Sequence, residues 1–159
     1  MATSSAAAAG FRPGRDYPGV GVGALVSDAD GRVLLVKRAA TSRVEPGFWA
    51  RPGGAVEFGE TCEAAVVREM LEETNVRIAG LKLMDVTTQV SEGSHWVSIG
   101  YSAELAEGCQ ADSASNLEPH KHDELGWFSL DNLPSPVASF TAPALKMLRE
   151  ARCQVGKAE

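Results

Sequence analysis

The stretch from Gly54 to Val76 constrains this chain more than any other part of its sequence. It follows a Pro-Gly-Gly turn and predicts a helix that carries Glu69, Glu72 and Glu73 at spacings i, i+3 and i+4. With about 3.6 residues per turn, these three carboxylates share one helical face. Like charges on one face destabilise a helix unless a cation neutralises them, and hard carboxylate oxygens suit Mg²⁺ or Mn²⁺. The stretch therefore predicts a metal site; the alternative is a solvated acidic helix face.

Three additions favour the metal site: the glycine-rich turn, Glu60 at the start of the helix, and Arg68 beside Glu69. With these, the stretch resembles the Nudix box: Gly, five residues, Glu, seven residues, Arg-Glu, an aliphatic residue, any residue, Glu-Glu, any residue, Gly and an aliphatic residue. The positions that fit are Gly54, Glu60, Arg68, Glu69, Met70, Glu72, Glu73 and Val76. Asn75 stands where the family carries Gly, just after the helix, where a left-handed conformation is common. Asn tolerates that conformation best among the other residues, so we expect an intact site.

The resemblance implies roles for the box residues. Glu72 and Glu73 would bind Mg²⁺, with Mn²⁺ as a substitute, and Glu69 would be either the general base or a further ligand. The remaining members of the metal shell would be Glu60 and the carbonyl of Gly53. Arg68 would orient the carboxylates through charge-assisted hydrogen bonds rather than touch the substrate. Metal ions at such a site bridge phosphates and lower the pKa of a bound water, which suits hydrolysis of a nucleoside diphosphate linked to a further group, X.

A later segment carries a second resemblance, to MutT-type nucleoside triphosphate hydrolases. It consists of Asn-Leu-Glu-Pro at 116–119, Asp-Glu-Leu-Gly-Trp-Phe at 123–128 and Leu-Pro at 133–134. In that group an acidic residue just ahead of this strand often faces the metals or the base. Glu124 is therefore a predicted catalytic residue, with Asp123 as the reserve. The alternative is a solvent-exposed acidic turn.

Cationic side chains near the box are candidate phosphate contacts. Lys37 and Arg38 follow the second predicted strand, where solvated strand-end charges are an equal alternative. Arg51 precedes the Pro-Gly-Gly turn, at a position where the family more often has an apolar residue. It is expected either to reach a substrate phosphate or to face solvent.

Aromatic side chains could stack on a nucleobase. Trp49 and His95 are the predicted base contacts, although large aromatic residues more commonly fill cores. Strand alternation places His95 on one face of its strand and Trp96 on the other. The sequence leaves open which face meets the substrate.

The order of predicted elements indicates an α/β fold. Strands are predicted at 19–27, 32–37, 82–90, 95–104 and 124–129, and a closing amphipathic helix at 143–153. A mixed β-sheet with helices on its faces fits this order. The Nudix resemblance implies the same architecture, an α/β/α sandwich with the box as strand, loop and helix. We expect one domain over 18–153, a flexible Ala/Ser-rich tail at 1–17 and a short tail at 154–159.

Composition limits the partners. The 159 residues have a formal net charge of −6 and a pI of about 5.1, so the surface as a whole repels nucleic acid. No apolar run approaches the roughly 18 residues that span a bilayer. Three cysteines without paired spacing indicate a reducing compartment. We therefore expect a cytoplasmic enzyme with a small-molecule nucleotide substrate, without nucleic-acid or membrane partners, and a homodimer as in related enzymes.

The sequence is compatible with three functions. The first is Mg²⁺-dependent hydrolysis of a nucleoside triphosphate, including oxidised ones, to a nucleoside monophosphate and pyrophosphate. The second is hydrolysis of ADP-ribose or a nucleoside diphosphate sugar, whose enzymes often have a proline some 15 residues beyond the box. This chain has none between Val76 and Pro119. The third is a non-catalytic nucleotide sensor, but such proteins usually lose box carboxylates and all are present here.

Overall fold

The structure, a computed structural model, describes residues 10–155. This part of the chain contains seven β-strands, two α-helices and a short 3-10 helix at Ala111–Ser113. The strands are β1 Gly19–Ser27, β2 Val33–Arg38, β3 Trp49–Ala50, β4 Gly53–Ala55, β5 Ile78–Ser91, β6 Ser94–Leu105 and β7 His122–Phe128. The helices are α1 Cys62–Thr74 and α2 Ala142–Val155.

All seven strands belong to one mixed sheet. Its main order is β3-β2-β1-β6-β5, with β4 paired to β1 and β7 paired to β2. The pairing of β1 with β6 is parallel, from Gly19 opposite Trp96 to Ser27 opposite Glu104, and the other pairings are antiparallel. The predicted mixed sheet is confirmed.

Each face of the sheet is covered by one helix. Alternation along β1 sends Val22, Ala24 and Val26 into a cluster with Val66 and Met70 of α1. On the opposite face, a second cluster packs strand residues against α2. Its members are Leu25, Val33, Leu35, Trp49, Leu130, Ala144 and Leu145. The predicted α/β/α sandwich is therefore confirmed.

The two predicted strands β1 and β2 form a hairpin that opens directly after its turn. Its turn closes through the Gly31 amide, which donates to the Asp28 carbonyl at 3.0 Å. The two arms pair only at Ser27 and Val33, because β4 takes over the edge of β1 around Gly21–Gly23. The separation of the two strands makes room for the glycine turn and leaves a cleft between β1 and β2.

Both ends of α1 are capped. Thr61 caps the start of the helix, since its hydroxyl accepts the Ala64 amide at 3.1 Å. At the other end Asn75 has φ 58° and ψ 24°, the left-handed conformation expected there, and its N–H donates to Leu71. Ala64 is exposed although it is apolar, whereas Ala65 and Val66 are buried against the sheet.

Several boundaries differ from the predictions. Strand β5 begins at Ile78, four residues early, and α2 includes Ala151 on its exposed side. Residues 10–17, predicted as tail, contact the sheet: the Gly14 carbonyl accepts the His95 amide at 2.8 Å. The predicted tail segments 1–9 and 156–159 lie outside the described residues. Neither α-helix within 10–155 combines the length and apolar character needed to cross a membrane.

Candidate metal and nucleotide site

Arg68 gathers three of the box carboxylates around one guanidinium. Its Nε and Nη2 donate to the two oxygens of Glu60 at 2.9 Å each. Its Nη1 donates to Glu69 at 2.8 Å and to Glu72 at 3.1 Å. The hydrogen bonds that Arg68 donates to Glu60 raise the pKa of Arg68, and the same bonds lower the pKa of Glu60. The structure thus brings together the predicted carboxylates, with Arg68 in the predicted orienting position.

Glu73 lies deeper, with its side chain only 2% exposed. One of its oxygens accepts the amide of Gly53 at 2.9 Å, which ties α1 to the glycine turn. Burial raises the pKa of Glu73 to about 8, and the charge of Glu69 adds to the shift. The next residue, Gly54, cannot be replaced by a larger residue without a shift, because a Cβ at that position would overlap the Glu69 carboxylate.

The donor set fits a hard divalent cation. Four carboxylates converge near a single arginine, and the buried Glu73 is costly to ionise unless a cation compensates it. Among the described residues, no three acidic, histidine or cysteine side chains are already arranged to hold one ion. The reason is that Arg68 occupies the space between Glu60, Glu69 and Glu72 and engages their oxygens. The carboxylate oxygens therefore suit Mg²⁺, while in this structure the side chains of Glu60, Glu69 and Glu72 are oriented towards Arg68.

Two residues that were not predicted as site residues, Glu118 and Lys121, also reach this site from the loop ahead of β7. Lys121 Nζ lies 2.8 Å from Glu118 and 4.0 Å from Glu73. The loop is anchored to the end of α1, since the Leu117 amide donates to the Glu73 carbonyl at 3.0 Å. Glu118 belongs to the segment that resembles MutT-type enzymes, but nothing local in the sequence shows that it lies near a glutamate 45 residues earlier.

The predicted catalytic residue Glu124 lies elsewhere. Antiparallel pairing of β7 with β2 puts Glu124 opposite Lys37, and their side chains form an ion pair at 2.7 Å. The Glu124 side chain is 55% exposed. The reserve candidate Asp123 accepts the Ala40 amide at 3.2 Å. Neither residue meets the box carboxylates in this structure, because both lie one strand away, and Glu118 takes the place expected for them.

His122 closes the buried side of the cluster. Its Nε2 lies 3.8 Å from Glu73, and its Nδ1 has no hydrogen-bond partner among residues 10–155. Burial lowers the pKa of His122 to about 4. The imidazole is therefore neutral near neutral pH and adds no charge beside Glu73.

A cleft lies along the opening between β1 and β2. Its lining includes Gly53, whose amide donates to Glu73, and Gly54, which packs against the Glu69 carboxylate. The remaining lining residues are Gly21, Val22, Gly23, Val36, Arg38, Val44, Ala50, Arg51, Ala55, Gln89, Trp96, Ser98, His122 and Phe140. The cleft thus combines glycines that contact two box carboxylates with aromatic and polar side chains, a composition typical of a small-molecule site.

The two cations of β2 have different positions. Arg38 lines the cleft, where its Nε donates to the Val44 carbonyl at 2.8 Å. Within residues 10–155 it forms no ion pair within 4.0 Å. Lys37 points to the other side of the strand, where it pairs with Glu124 and lies 6.0 Å from the Trp49 ring. Strand alternation therefore separates the two predicted phosphate contacts and leaves only Arg38 in the cleft.

Three other predicted substrate contacts are placed differently from the expectation. Arg51 does not face solvent: its side chain is 1% exposed and pairs with Asp85 below the cleft. Trp49 is buried in the α2 cluster and meets Phe128 edge to face at 4.9 Å between ring centroids. His95 is exposed on the opposite face of β6 from the cleft. The cleft is lined instead by the aromatic side chains of Trp96 and Phe140.

Comparison with known proteins agrees with this geometry. A family model described as NUDIX domain matches residues 17–150. A MutT-like protein of Streptomyces ambofaciens is 38% identical over 123 residues, which are 77% of this chain and 71% of that protein. The ADP-ribose pyrophosphatase of Methanocaldococcus jannaschii is 34% identical over 74% of this chain and 66% of that protein.

The NAD-capped RNA hydrolase NudC of Pseudomonas aeruginosa is 32% identical over 74% of this chain. The match spans only 39% of that longer protein. Among solved structures, a MutT NUDIX hydrolase from Burkholderia pseudomallei superposes with a TM-score of 0.72 and 39% identity. That superposition covers 81% of this chain and 96% of the other.

Proposed function

The chain belongs to the NUDIX family and is a Nudix hydrolase, and from that premise we propose that it cleaves a nucleoside triphosphate to a nucleoside monophosphate and pyrophosphate in a Mg²⁺-dependent reaction. One observation carries the proposal: Glu69 and Glu73 contact the glycines of a cleft that is also lined by Trp96 and polar side chains. A nucleotide in this cleft would have its phosphates at the glycines beside the carboxylates and its base at Trp96.

The box glutamates hold the metal in this proposal. The ligands are Glu72 and Glu73 with Glu60 and the Gly53 carbonyl, and Glu69 serves as a ligand or as the general base. When bound, Mg²⁺ (or Mn²⁺) neutralises phosphate charge and makes an associated water more acidic. The chain positions these groups: Arg68 holds Glu60 and Glu69, and the Gly53 amide holds Glu73. The Glu69 carboxylate packs directly against Gly54, which lines the cleft, so it lies close enough to that wall to act as a ligand or as a base.

Two cations are available for the phosphate chain. Arg38 lines the cleft without a carboxylate partner among the described residues, and Lys121 lies on the Glu73 side of the site. A guanidinium binds phosphate oxygens in a bidentate manner, whereas an ammonium acts as a point charge. These residues would bind and orient the phosphates while the carboxylates hold the metal.

The test is product analysis with the ordinary nucleoside triphosphates, 8-oxo-dGTP and ADP-ribose, with and without Mg²⁺. Metal-dependent release of pyrophosphate supports the proposal. Glu72→Gln should abolish most turnover while the fold remains intact, because Glu72 is 53% exposed and, within residues 10–155, its carboxylate pairs only with Arg68. Normal turnover by Glu72→Gln would contradict the metal-site assignment. A chain that releases no pyrophosphate from any triphosphate would contradict the substrate class.

ADP-ribose is a second candidate substrate, since the relative from Methanocaldococcus jannaschii carries the name ADP-ribose pyrophosphatase. The same carboxylates would serve either substrate, because both contain a pyrophosphate linked to a nucleoside. Turnover of ADP-ribose with no turnover of triphosphates would move the assignment to this candidate.

A further inference from the structure

A buried ion pair supports one wall of the cleft. Arg51 donates from Nη1 and Nη2 to the two oxygens of Asp85 on β5, at 2.8 and 3.0 Å. The side chains are 1% and 9% exposed. Such a fork is geometrically specific, because the guanidinium and the carboxylate share a plane. The pair therefore presents a fixed set of nitrogens to its neighbours.

Glycines make room for this pair within the sheet. A Cβ on Gly100 would lie 2.6 Å from Asp85 Oδ1 and closer still to Arg51 Nη1. A Cβ on Gly23 would lie 3.1 Å from Arg51 Cγ and 2.9 Å from the Pro52 carbonyl. Direct packing on two backbone strands holds the Arg51 guanidinium in one position.

The ion pair determines what Ser98 offers to a ligand. Arg51 Nη2 donates to the Ser98 hydroxyl oxygen at 3.3 Å. Among residues 10–155, no group accepts the Ser98 hydroxyl proton. A serine hydroxyl has one proton to donate, and accepting from a guanidinium makes it a better donor. Since Ser98 lines the cleft, its proton is available to a bound molecule.

Two neighbours complete this wall of the cleft. Gln89 lies opposite Trp96 in the β5–β6 pairing, and both line the cleft with Ser98. The Trp96 ring is held by backbone, since a Cβ on Gly19 would lie 2.6 Å from Trp96 Cζ3, and Gly14 packs as closely. A fixed indole beside an amide and a hydroxyl provides both a stacking surface and edge contacts for a planar base.

We infer that Gln89, Trp96 and Ser98 bind the base of the substrate and that Ser98, held by the Arg51–Asp85 pair, donates its hydroxyl proton to a base carbonyl oxygen. The enzyme therefore prefers bases with an oxo group, such as guanine, hypoxanthine and uracil, over adenine and cytosine, which carry an amino donor at that position. This inference rests on the proposed nucleotide hydrolysis and adds base selectivity to it.

Inosine and adenosine triphosphates test the inference, because their bases differ in carrying an oxo or an amino group at one position. For one net hydrogen bond, we expect kcat/KM to favour the inosine nucleotide by about three- to tenfold. Ser98→Ala should bring this ratio close to one, and Ser98→Thr, which keeps the hydroxyl, should retain it. Ser102→Ala is the matched control, since Ser102 lies on the same face of β6 outside the cleft, and it should leave the ratio as in the wild type.

Two results would overturn the inference: a wild-type ratio at or below one, or an unchanged ratio in Ser98→Ala. If no triphosphate is hydrolysed, the proposed function fails, and binding of inosine and adenosine monophosphates then decides the base site. Quenching of tryptophan fluorescence measures that binding. Tighter binding of the inosine nucleotide that is lost in Ser98→Ala would support the base site independently of turnover. Equal or undetectable binding of both nucleotides would overturn it.

Discussion

Arg68 holds Glu60 through two parallel hydrogen bonds, from Nε and from Nη2, each 2.9 Å long. Because Glu60 precedes α1 and Arg68 lies in its second turn, this fork fixes the chain that enters the helix against the face that carries Glu69 and Glu72. The arrangement makes Arg68 a positioning residue of the proposed metal site.

Replacement of Arg68 by lysine should therefore impair turnover even though the charge is kept. Lysine cannot hold both Glu60 oxygens and also reach Glu69. Loss of a group that orients metal ligands typically costs about 10- to 100-fold in metal affinity or activity. We expect kcat/KM to fall by that factor and the Mg²⁺ concentration for half-maximal activity to rise. The control is Arg77→Lys at an exposed arginine beyond the helix; equal activities of the two variants would refute the positioning role.

The stability of the metal-free protein should decrease as the pH rises through the range set by Glu73. Its folded-state pKa is raised from 4.5 to about 8, mainly by burial. Because the folded pKa exceeds the unfolded one, the contribution of Glu73 to the unfolding free energy is fully present below about pH 4.5 and is lost by about pH 8. At about 1.4 kcal/mol per unit, the loss is on the order of several kcal/mol.

Glu73→Gln should remove this pH dependence, so that the variant is the more stable protein at about pH 9 in the presence of a chelator. Urea denaturation at low and high pH measures the effect, and Glu72→Gln at the exposed neighbour is the control. Added Mg²⁺ should recover the wild-type stability at high pH. Parallel pH profiles of the wild type and Glu73→Gln would contradict the buried ionisable state.

The Arg51–Asp85 pair should contribute strongly to stability when only one partner is removed. Asp85→Asn leaves a guanidinium with 1% exposure without its carboxylate, and breaking a buried pair in this way costs about 3–5 kcal/mol. Replacing both residues by apolar ones of similar size, Arg51→Met with Asp85→Leu, should cost less than Arg51→Met alone or Asp85→Leu alone. Chemical denaturation of the wild type, these two single variants and the double variant gives the coupling energy between the two residues. Additive losses would show that the pair does not act as a unit.

Glu118 should matter more for turnover than Glu124. Glu118 is paired with Lys121 beside Glu73, whereas Glu124 pairs with Lys37 one strand away. We expect Glu118→Gln to lower kcat/KM by at least about tenfold, as for a residue that orients metal ligands, and Glu124→Gln to have a smaller effect. Circular dichroism of both variants checks the fold. A larger effect of Glu124→Gln would restore the residue that the sequence favoured.

The local parts of this structure were predictable from the sequence because their causes are local. The limits of α1 follow from the Thr61 cap and from the left-handed Asn75. The full extent of β1 follows from an apolar run that ends at the turn beginning with Asp28. The clustering of Glu69, Glu72 and Glu73 on one helical face follows from helix periodicity alone.

The sequence was less informative where contacts join distant parts of the chain. Arg51 is buried because Asp85, 34 residues later, meets it from β5. The acidic residue beside Glu73 is Glu118 because the loop ahead of β7 is anchored to the end of α1.

The sequence by itself determined the box helix, its caps, the order of elements and the carboxylate face. Each of these depends on residues within a few positions of one another. Tertiary structure decided that β1 and β2 diverge, that Trp96 rather than His95 faces the cleft, and that Arg51 supports Ser98. Those relationships depend on which strands pair and on how two faces of a sheet are covered. A periodic pattern shows that a strand has two faces, but only packing against the rest of the fold decides which of them becomes the site.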